Sequence, residues 1–424
     1  MSVTRSIDSA APTTRSLQIR VAVLCGLIQT LDGYDLSAIG LAVPSLVKAW
    51  ALPPSAFTLA FALSSVGIMV GAMLSGPIAD RFGRKPTLLI SVALFGIFSL
   101  LSAYAPSLGV LVALRFFTGI GIGGAMPTTV ALTSDYTPDR WRTSAVMFMF
   151  TGNTIGGFFA GQIAAQILPR WGWPGIFMVG GVVPLLMLVV LVFALPESPQ
   201  FQNGRRPEAA KDNPVSGLFA DGLGTSTLLL WAIFLINLLN MYLISYWLPT
   251  VLNLGGLTPA DSAFAASIYS AGGILSTLVL GPVIARLGAA RVLATSLVIG
   301  AVSIGLFARG GLPYFWTMAA LFGAGGGFVG SQLGLNGYAA SIYPTATRST
   351  GIGWALGVGR LGGIAGPVIG GALLGLGLPP SEVMLFACGP GLVTALLVTL
   401  LGRLRQRAQA QTAGATGSAR PALW

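Results

Sequence analysis

GPIADRFGRK, at residues 76–85, returns later in the chain as GPVIARLGAAR, at residues 281–291. Gly76, Pro77, Arg81 and Gly83 of the first copy match Gly281, Pro282, Arg286 and Gly288 of the second. Each copy is a short charged connection between two long apolar stretches. The correspondence continues outward. GGFFAG (156–161) lines up with GGIAGP (362–367), and Arg142 with Arg348. A chain that repeats its connections and its apolar stretches in the same order reads as two copies of one helical unit, running the same way through whatever solvent surrounds them.

Composition identifies that solvent. Of 424 residues, 54% are hydrophobic and only 8% are charged, against about 25% charged in a soluble domain. So few charges cannot cover a water-facing surface. The 58 glycines lie inside apolar runs, where small residues let helices approach closely. Crossing the hydrocarbon takes about 20 apolar residues. That ruler predicts twelve spans, at 20–46, 57–79, 86–105, 108–134, 142–168, 173–195, 226–252, 260–285, 291–308, 313–340, 349–376 and 381–402. The expected class is an all-α integral membrane protein with two parallel six-helix repeats. It divides into a cytoplasmic tail (1–19), a six-helix bundle (20–195), a cytoplasmic linker (196–225), a second six-helix bundle (226–402) and a cytoplasmic tail (403–424).

Charge sets the orientation. With the N-terminus inside, eighteen of the 23 Lys and Arg residues face the cytoplasm, three face outward, and Arg115 and Arg360 fall within spans. This is a strong positive-inside bias, and it accounts for the net charge of +11 without nucleic acid. Cys25 and Cys388 lie in apolar runs and read as small buried residues. There is no histidine, no metal-ligand cluster and no nucleophile–base pair, so neither enzyme nor cofactor chemistry is expected. A parallel repeat favours transport, with a site near midplane between two rocking halves.

Of the twelve acids, only Asp32 and Asp35 are clearly deep. Asp8, Asp139, Glu197, Glu208, Asp212 and Asp221 read as solvated, and Asp261 as a helix-start residue. A charge at a helix centre costs roughly 2.5–3.5 kcal/mol, which a structural role would not require. Asp32 and Asp35 are spaced i, i+3 on one helix face and would carry coupled protons, with a preference for Asp32. Gly33 between them permits close packing or local unwinding. Arg115 in the fourth span is their natural counter-charge or the partner of a substrate carboxylate, since its planar fork matches a carboxylate. The second half has Leu321 at the aligned position. Arg360 is left between the cavity and Glu382. Candidates for contacting a substrate ring are Phe148, Asn153, Asn237, Tyr242, Tyr246, Tyr269, Gln332, Asn336, Tyr338 and Trp354. Asp80, Arg81, Gly83, Arg84, Lys85 and Arg142 form an expected cytoplasmic gate. In it Asp80 would meet the start of the eleventh span, near Ser349 or Thr350, and latch the halves.

These motifs carry a resemblance. GPIADRFGRK resembles the loop-two signature of the major facilitator superfamily, G-x-x-x-D-R-x-G-R-K/R, at every fixed position. PESPQF (196–201) resembles a second signature, shared with sugar porters. LDGYD (31–35) resembles the D-G-x-D signature of the aromatic acid:proton symporter family. RFFTGIGIGGAMP (115–127) and YPTATRSTGIGWALGVGRLGGIAGP (343–367) are similar to stretches of that family. The resemblance implies a proton-coupled importer of small aromatic carboxylates in a bacterial inner membrane, in which the two span-one acids and the span-four arginine are needed for transport. Asp135 stands where the family usually has Glu. GPVIGG (366–371) is similar to an antiporter motif but lies in the eleventh span, while the fifth carries GNTIGGFFAG without proline, which weakens an efflux reading. A sugar or organic-acid porter and a transporter-like ligand sensor are the alternatives. The expected partners are an aromatic carboxylate, a proton and the lipid bilayer, with the chain a monomer.

Overall fold

The computed structural model describes residues 15–202, 216–220, 222–344 and 347–417, and among them the regular structure is entirely helical. The first half comprises α1 (Arg15–Trp50), α2 (Thr58–Phe82), α3 (Arg84–Ser102), α4 (Leu108–Tyr136) and α5 (Asp139–Ala194), followed by a single turn, α6 (Pro199–Gln202). The second comprises α7 (Gly224–Leu254), α8 (Pro259–Leu287), α9 (Ala289–Ala308) and α10 (Tyr314–Gly325), which passes through a π turn (Gly326–Gly330) into α11 (Ser331–Ile342). After it come α12 (Arg348–Gly375), α13 (Pro380–Phe386) and α14 (Cys388–Gly417). Among the described residues ten helices are long and apolar enough to cross a membrane. Large apolar side chains such as Leu186, Phe193, Leu278 and Phe315 point outward. This is the surface of a multi-pass membrane protein, in which lipid rather than water meets the exterior.

Helix α5 is 56 residues long and is interrupted at Gly172, where φ is 63° and ψ is −164°. A straight helix of that length would measure about 84 Å, far more than the ~30 Å of hydrocarbon. The chain instead turns back. Gly156 packs on the backbone at Tyr34, and Gly180 lies beside the ring of the same Tyr34. The Tyr34 hydroxyl also donates to the Ile176 carbonyl at 3.0 Å. Two points 24 residues apart on one helix could not both touch Tyr34 without that reversal. The stretch PRWGWPG supplies it: Pro169 and Pro174 remove backbone donors, and Gly172 takes a positive φ that other residues resist.

Packing follows a regular plan. In the first half α1 lies on the first arm of α5, α2 on α4, and α3 on the second arm of α5. In the second half α7 lies on α12, α8 on α10, and α9 on α14. Across the middle, α5 meets α8, α2 meets α12, and α1 meets α7. Gly83 (φ 103°) and Gly288 (φ 86°) make the same tight connection at the two copies of the opening motif.

Glycine sets the interhelical distance. Gly123 and Gly67 let α2 and α4 touch backbone to backbone, and a methyl group on Gly123 would fall on the Ile68 carbonyl. Gly123→Val should therefore destabilise the first half by about 1–3 kcal/mol, the usual scale of overpacking. Gly26 has open space around its Cβ direction, so Gly26→Ala should be neutral or slightly stabilising. Apparent melting temperatures of the two variants in detergent check the contrast; equal behaviour would refute it.

Candidate functional site

Helix α1 runs unbroken through Gly33, so the residue serves close approach and not unwinding: a Cβ there would collide with the Asn153 backbone of α5. With α1 pressed on α5, Asp32 and Asp35 are both only 1% exposed. Neighbouring helices answer Asp35 with side chains spaced i, i+3. Helix α3 brings Ser99 and Ser102, and α4 brings Arg115 and Thr118. The Ser99 hydroxyl donates to Asp35 Oδ1, and Arg115 Nη1 donates to Asp35 Oδ2 at 3.1 Å. Arg115 Nε and Nη2 reach Ser102 Oγ at 3.2 and 3.0 Å, and Nη2 also reaches Thr118 Oγ1 at 2.9 Å. The guanidinium carbon lies 4.8 Å from the Phe177 ring centroid. Arg115 is itself 1% exposed, which excludes an arginine that reaches out to the interface.

Asp32 is held differently. Gln29, one turn earlier, donates to Asp32 Oδ2 at 3.3 Å and to Thr129 Oγ1 at 3.0 Å. Asp32 Oδ1 is buried without a hydrogen-bond partner among the described residues. The carboxyl lines a cavity of about 140 Å³ between the halves. This is below the ~300–1,000 Å³ of drug-sized pockets, a scale for a small ligand. Arg360 of α12 lines the same cavity, with Tyr242, Gln332, Asn336 and Asn153, over an apolar remainder that includes Phe150 and Met241. Arg360 Nη1 donates to Tyr242 Oη at 3.2 Å, and Nη2 contacts Met126 Sδ at 2.7 Å. Among the described residues neither Arg360 nor Asp32 is in an ion pair. Glu382, the alternative partner for Arg360, is exposed at the start of α13.

The other candidates separate by depth. Gln332 and Asn336 reach the cavity together, joined at 3.4 Å, and Asn237 holds Gln332 from behind at 2.7 Å. Arg115 and Tyr246 are not among the cavity-lining residues; Tyr246 is buried and stacked on Phe61 at 4.7 Å. Tyr269 is buried in α8. Trp354 is 44% exposed and stacks on Trp231. Phe148 is 71% exposed and lines a separate groove between α5, α8 and α11. Tyr338 lines that same groove and also a basin at the end of α8 and the start of α9.

A second polar cluster joins the end of α5 to the start of α3. Glu197, read from the sequence as solvated, turns back to accept from the backbone amides of Arg84 at 2.9 Å and Lys85 at 3.2 Å. A carboxylate at these unsatisfied amides also complements the helix dipole. Arg84 pairs with Asp135, and Ser198 Oγ donates to Asp135 as well. Lys85 Nζ donates to the Val192 carbonyl at 2.8 Å. Gly83 permits the turn. Arg81 lies over the Phe82 ring, 5.2 Å from its centroid, and Arg142 Nε donates to the Ser134 carbonyl at 3.2 Å. Asp80 is exposed, with Arg84 as an electrostatic neighbour. The Ser349 side chain of the expected latch lies outside the described residues, as do Asp8, Glu208, Asp212, Asp221 and the side chain of Asp139. Asp261 starts α8 as expected: its amide donates to Thr258 Oγ1 at 3.1 Å.

Comparison with known proteins accords with this architecture. The family model described as Major Facilitator Superfamily matches residues 25–264 and 230–423. The chain is 34% identical over 415 residues to the gallate transporter of Pseudomonas putida, covering 92% of each. It is 34% identical to the 4-hydroxybenzoate transporter PcaK of Pseudomonas aeruginosa, over 91% of this chain and 92% of that one. It is 36% identical to the 3-(3-hydroxy-phenyl)propionate transporter of Escherichia coli K12, over 95% and 99%. Among solved structures, a crystal structure of a D-xylose-proton symporter superposes with a TM-score of 0.72 at 19% identity, over 90% of this chain and 97% of that one. At that identity the likeness concerns the fold alone.

The ion pair generates a stability test. Asp35→Asn or Arg115→Met alone strands one buried charge and should cost about 3–5 kcal/mol. The double variant removes both charges and should be clearly more stable than the two separate losses combined. Thermal unfolding in detergent measures all four proteins, and strict additivity would rule out the coupling.

Proposed function

This chain belongs to the Major Facilitator Superfamily and groups with its aromatic acid transporters, and we propose that it imports small aromatic carboxylates of the hydroxybenzoate type together with protons, by alternating access. The carrying observation is the cavity between the halves, which the side chains of Asp32 and Arg360 line together. The names of the relatives support the substrate class.

In this reading Arg360 receives the substrate carboxylate, and Tyr242, Gln332 and Asn336 orient the polar end. Phe150, Met126 and Met241 pack on the ring, sulfur against aromatic being a favourable contact. Asp32 takes the proton from the outside and gives it up inside. Asp35 and Arg115 form the fixed ionic frame that holds α1, α3 and α4 at the site. Proton and anion then enter as a pair that leaves no net charge to desolvate when the cavity closes. This places the substrate carboxylate on Arg360 in preference to Arg115, whose donors are already committed to Asp35, Ser102 and Thr118.

The proposal extends to the architecture. Counting α1 as a span, and α5 as two spans meeting at Gly172, gives twelve crossings. They form two parallel six-helix bundles at 20–195 and 226–402. What supports the repeat is the matched helix pairing within each half and the equivalent contacts of α5 with α8 and α2 with α12. The charge bias supports cytoplasmic termini in a bacterial inner membrane. The chain would act as a monomer, with the Arg84–Asp135–Glu197 cluster as part of its cytoplasmic gate.

Uptake of labelled 4-hydroxybenzoate should collapse when a protonophore dissipates the gradient. Asp32→Asn should abolish uphill accumulation while preserving exchange of labelled for unlabelled substrate. Arg360→Met should weaken binding about 10–100-fold, the worth of a charge-assisted hydrogen bond. Gradient-insensitive uptake would refute coupling, and full accumulation by Asp32→Asn with Asp35→Asn would refute the site. Competition by glucose but not by benzoate would replace the substrate class.

A further inference from the structure

The two copies of the opening motif differ in how their cations are answered. In the first, Glu197 occupies the amide end of α3 and Asp135 pairs with Arg84. In the second, Ala285 stands where Asp80 stands in the first, and Gly288 again opens the following helix, α9. Arg286, Arg291 and Arg405 line a basin of about 440 Å³ there, with Tyr338 and the first residues of α9. Among the described residues none of these arginines is in an ion pair, and no carboxylate lines the basin. Arg405 Nη1 donates to the Ser341 hydroxyl at 3.3 Å; Arg286 and Arg291 are exposed. In the first half the protein supplies its own anion at the equivalent place. In the second, arginines gather with no carboxylate among the described lining residues.

What adjoins the basin identifies that anion. Leu287 and Arg291 belong both to the basin and to an apolar groove of about 510 Å³ between α8, α9 and α10. Leu275, Val279, Ile299 and Phe322 line the groove and are outward-facing on the bundle. The groove follows α8 from Gly272 to Leu287, roughly 22 Å at 1.5 Å per residue, enough to run through one ~15 Å leaflet of hydrocarbon. A soluble phosphate would use the arginines but not the groove. A lipid without net charge would use the groove but bring no net negative charge to three cations. We infer that this face binds an anionic phospholipid of the cytoplasmic leaflet, with its phosphate among Arg286, Arg291 and Arg405 and an acyl chain along α8. Juxtamembrane arginines attract anionic headgroups by the same charge complementarity. The inference is independent of what the central cavity carries.

The test uses the full-length protein in neutral detergent, titrated separately with phosphatidylglycerol, phosphatidylcholine and glycerol 3-phosphate, with retained ligand read by native mass spectrometry. Phosphatidylglycerol should bind in preference to both others. The variant Arg286→Gln/Arg291→Gln/Arg405→Gln should lose about 100-fold in that affinity, from roughly fivefold per arginine. Val279→Trp, which fills the groove and keeps the charges, should also weaken it. If the triple variant fails to fold, Arg291→Gln and Val279→Trp decide the matter. Equal binding of phosphatidylcholine, undiminished phosphatidylglycerol in the variants, or displacement by equimolar glycerol 3-phosphate would overturn the proposal.

Discussion

The pairing of Asp35 with Arg115 is the interaction around which the first half is organised. Neither charge could remain at that depth alone, because an unanswered ion in a low-dielectric interior costs several kcal/mol. Together they require α1, α3 and α4 to meet at one place, with Ser99, Ser102 and Thr118 completing the hydrogen bonds. The second arm of α5 must then return to put Phe177 against the guanidinium. One ionic contact therefore fixes the relative heights of four spans. It also leaves Asp32, one turn away, as the acid that is not spoken for.

That division of labour separates scaffold from chemistry in a way the spacing of the two acids does not. Both are on one face and both are buried, yet their surroundings differ in kind. Asp35 has a cation and a hydroxyl; Asp32 has an amide on one oxygen and a cavity beside it. Among the described residues that line that cavity, the one cation is Arg360, contributed by the other half. In the proposed cycle, a site with residues from both halves would tie its occupancy to their relative position, as alternating access requires.

Much of this could be read from the sequence because a membrane makes charge conspicuous. Asp32, Asp35 and Arg115 stood out as ionised types at depth, and their burial in the structure agrees with that reading. The Gly172 turn is visible in PRWGWPG for the reason that proline and glycine mark chain reversals. Other features were hidden for equally physical reasons. Glu197 looks like any loop acid, since its role depends on PESPQF folding back onto amides more than 100 residues earlier in the chain. Ser99, Ser102 and Thr118 are small hydroxyls of a kind that span helices use freely to bond their own backbone. Arg360 could not be assigned a face without its neighbours. Phe148 and Trp354 are large aromatics in spans, but residue type alone does not separate a ring aimed at a cavity from one aimed at lipid or at another tryptophan.

The π turn at Gly326–Gly330 gives the two halves unequal mechanics. Where the first half has α4 continuous from Leu108 to Tyr136, the second has a helix with one surplus peptide in its ladder, set in a run of glycines. Such a turn is a ready place to bend or rewind at small cost. Its far side carries Gln332 and Asn336 into the cavity. A rewinding there would rotate those amides relative to Arg360 while the Asp35–Arg115 frame stays still. In the proposed cycle, contacts with the substrate would then be made and released by a local change of helical pitch, ahead of any rigid rocking of the proposed bundles.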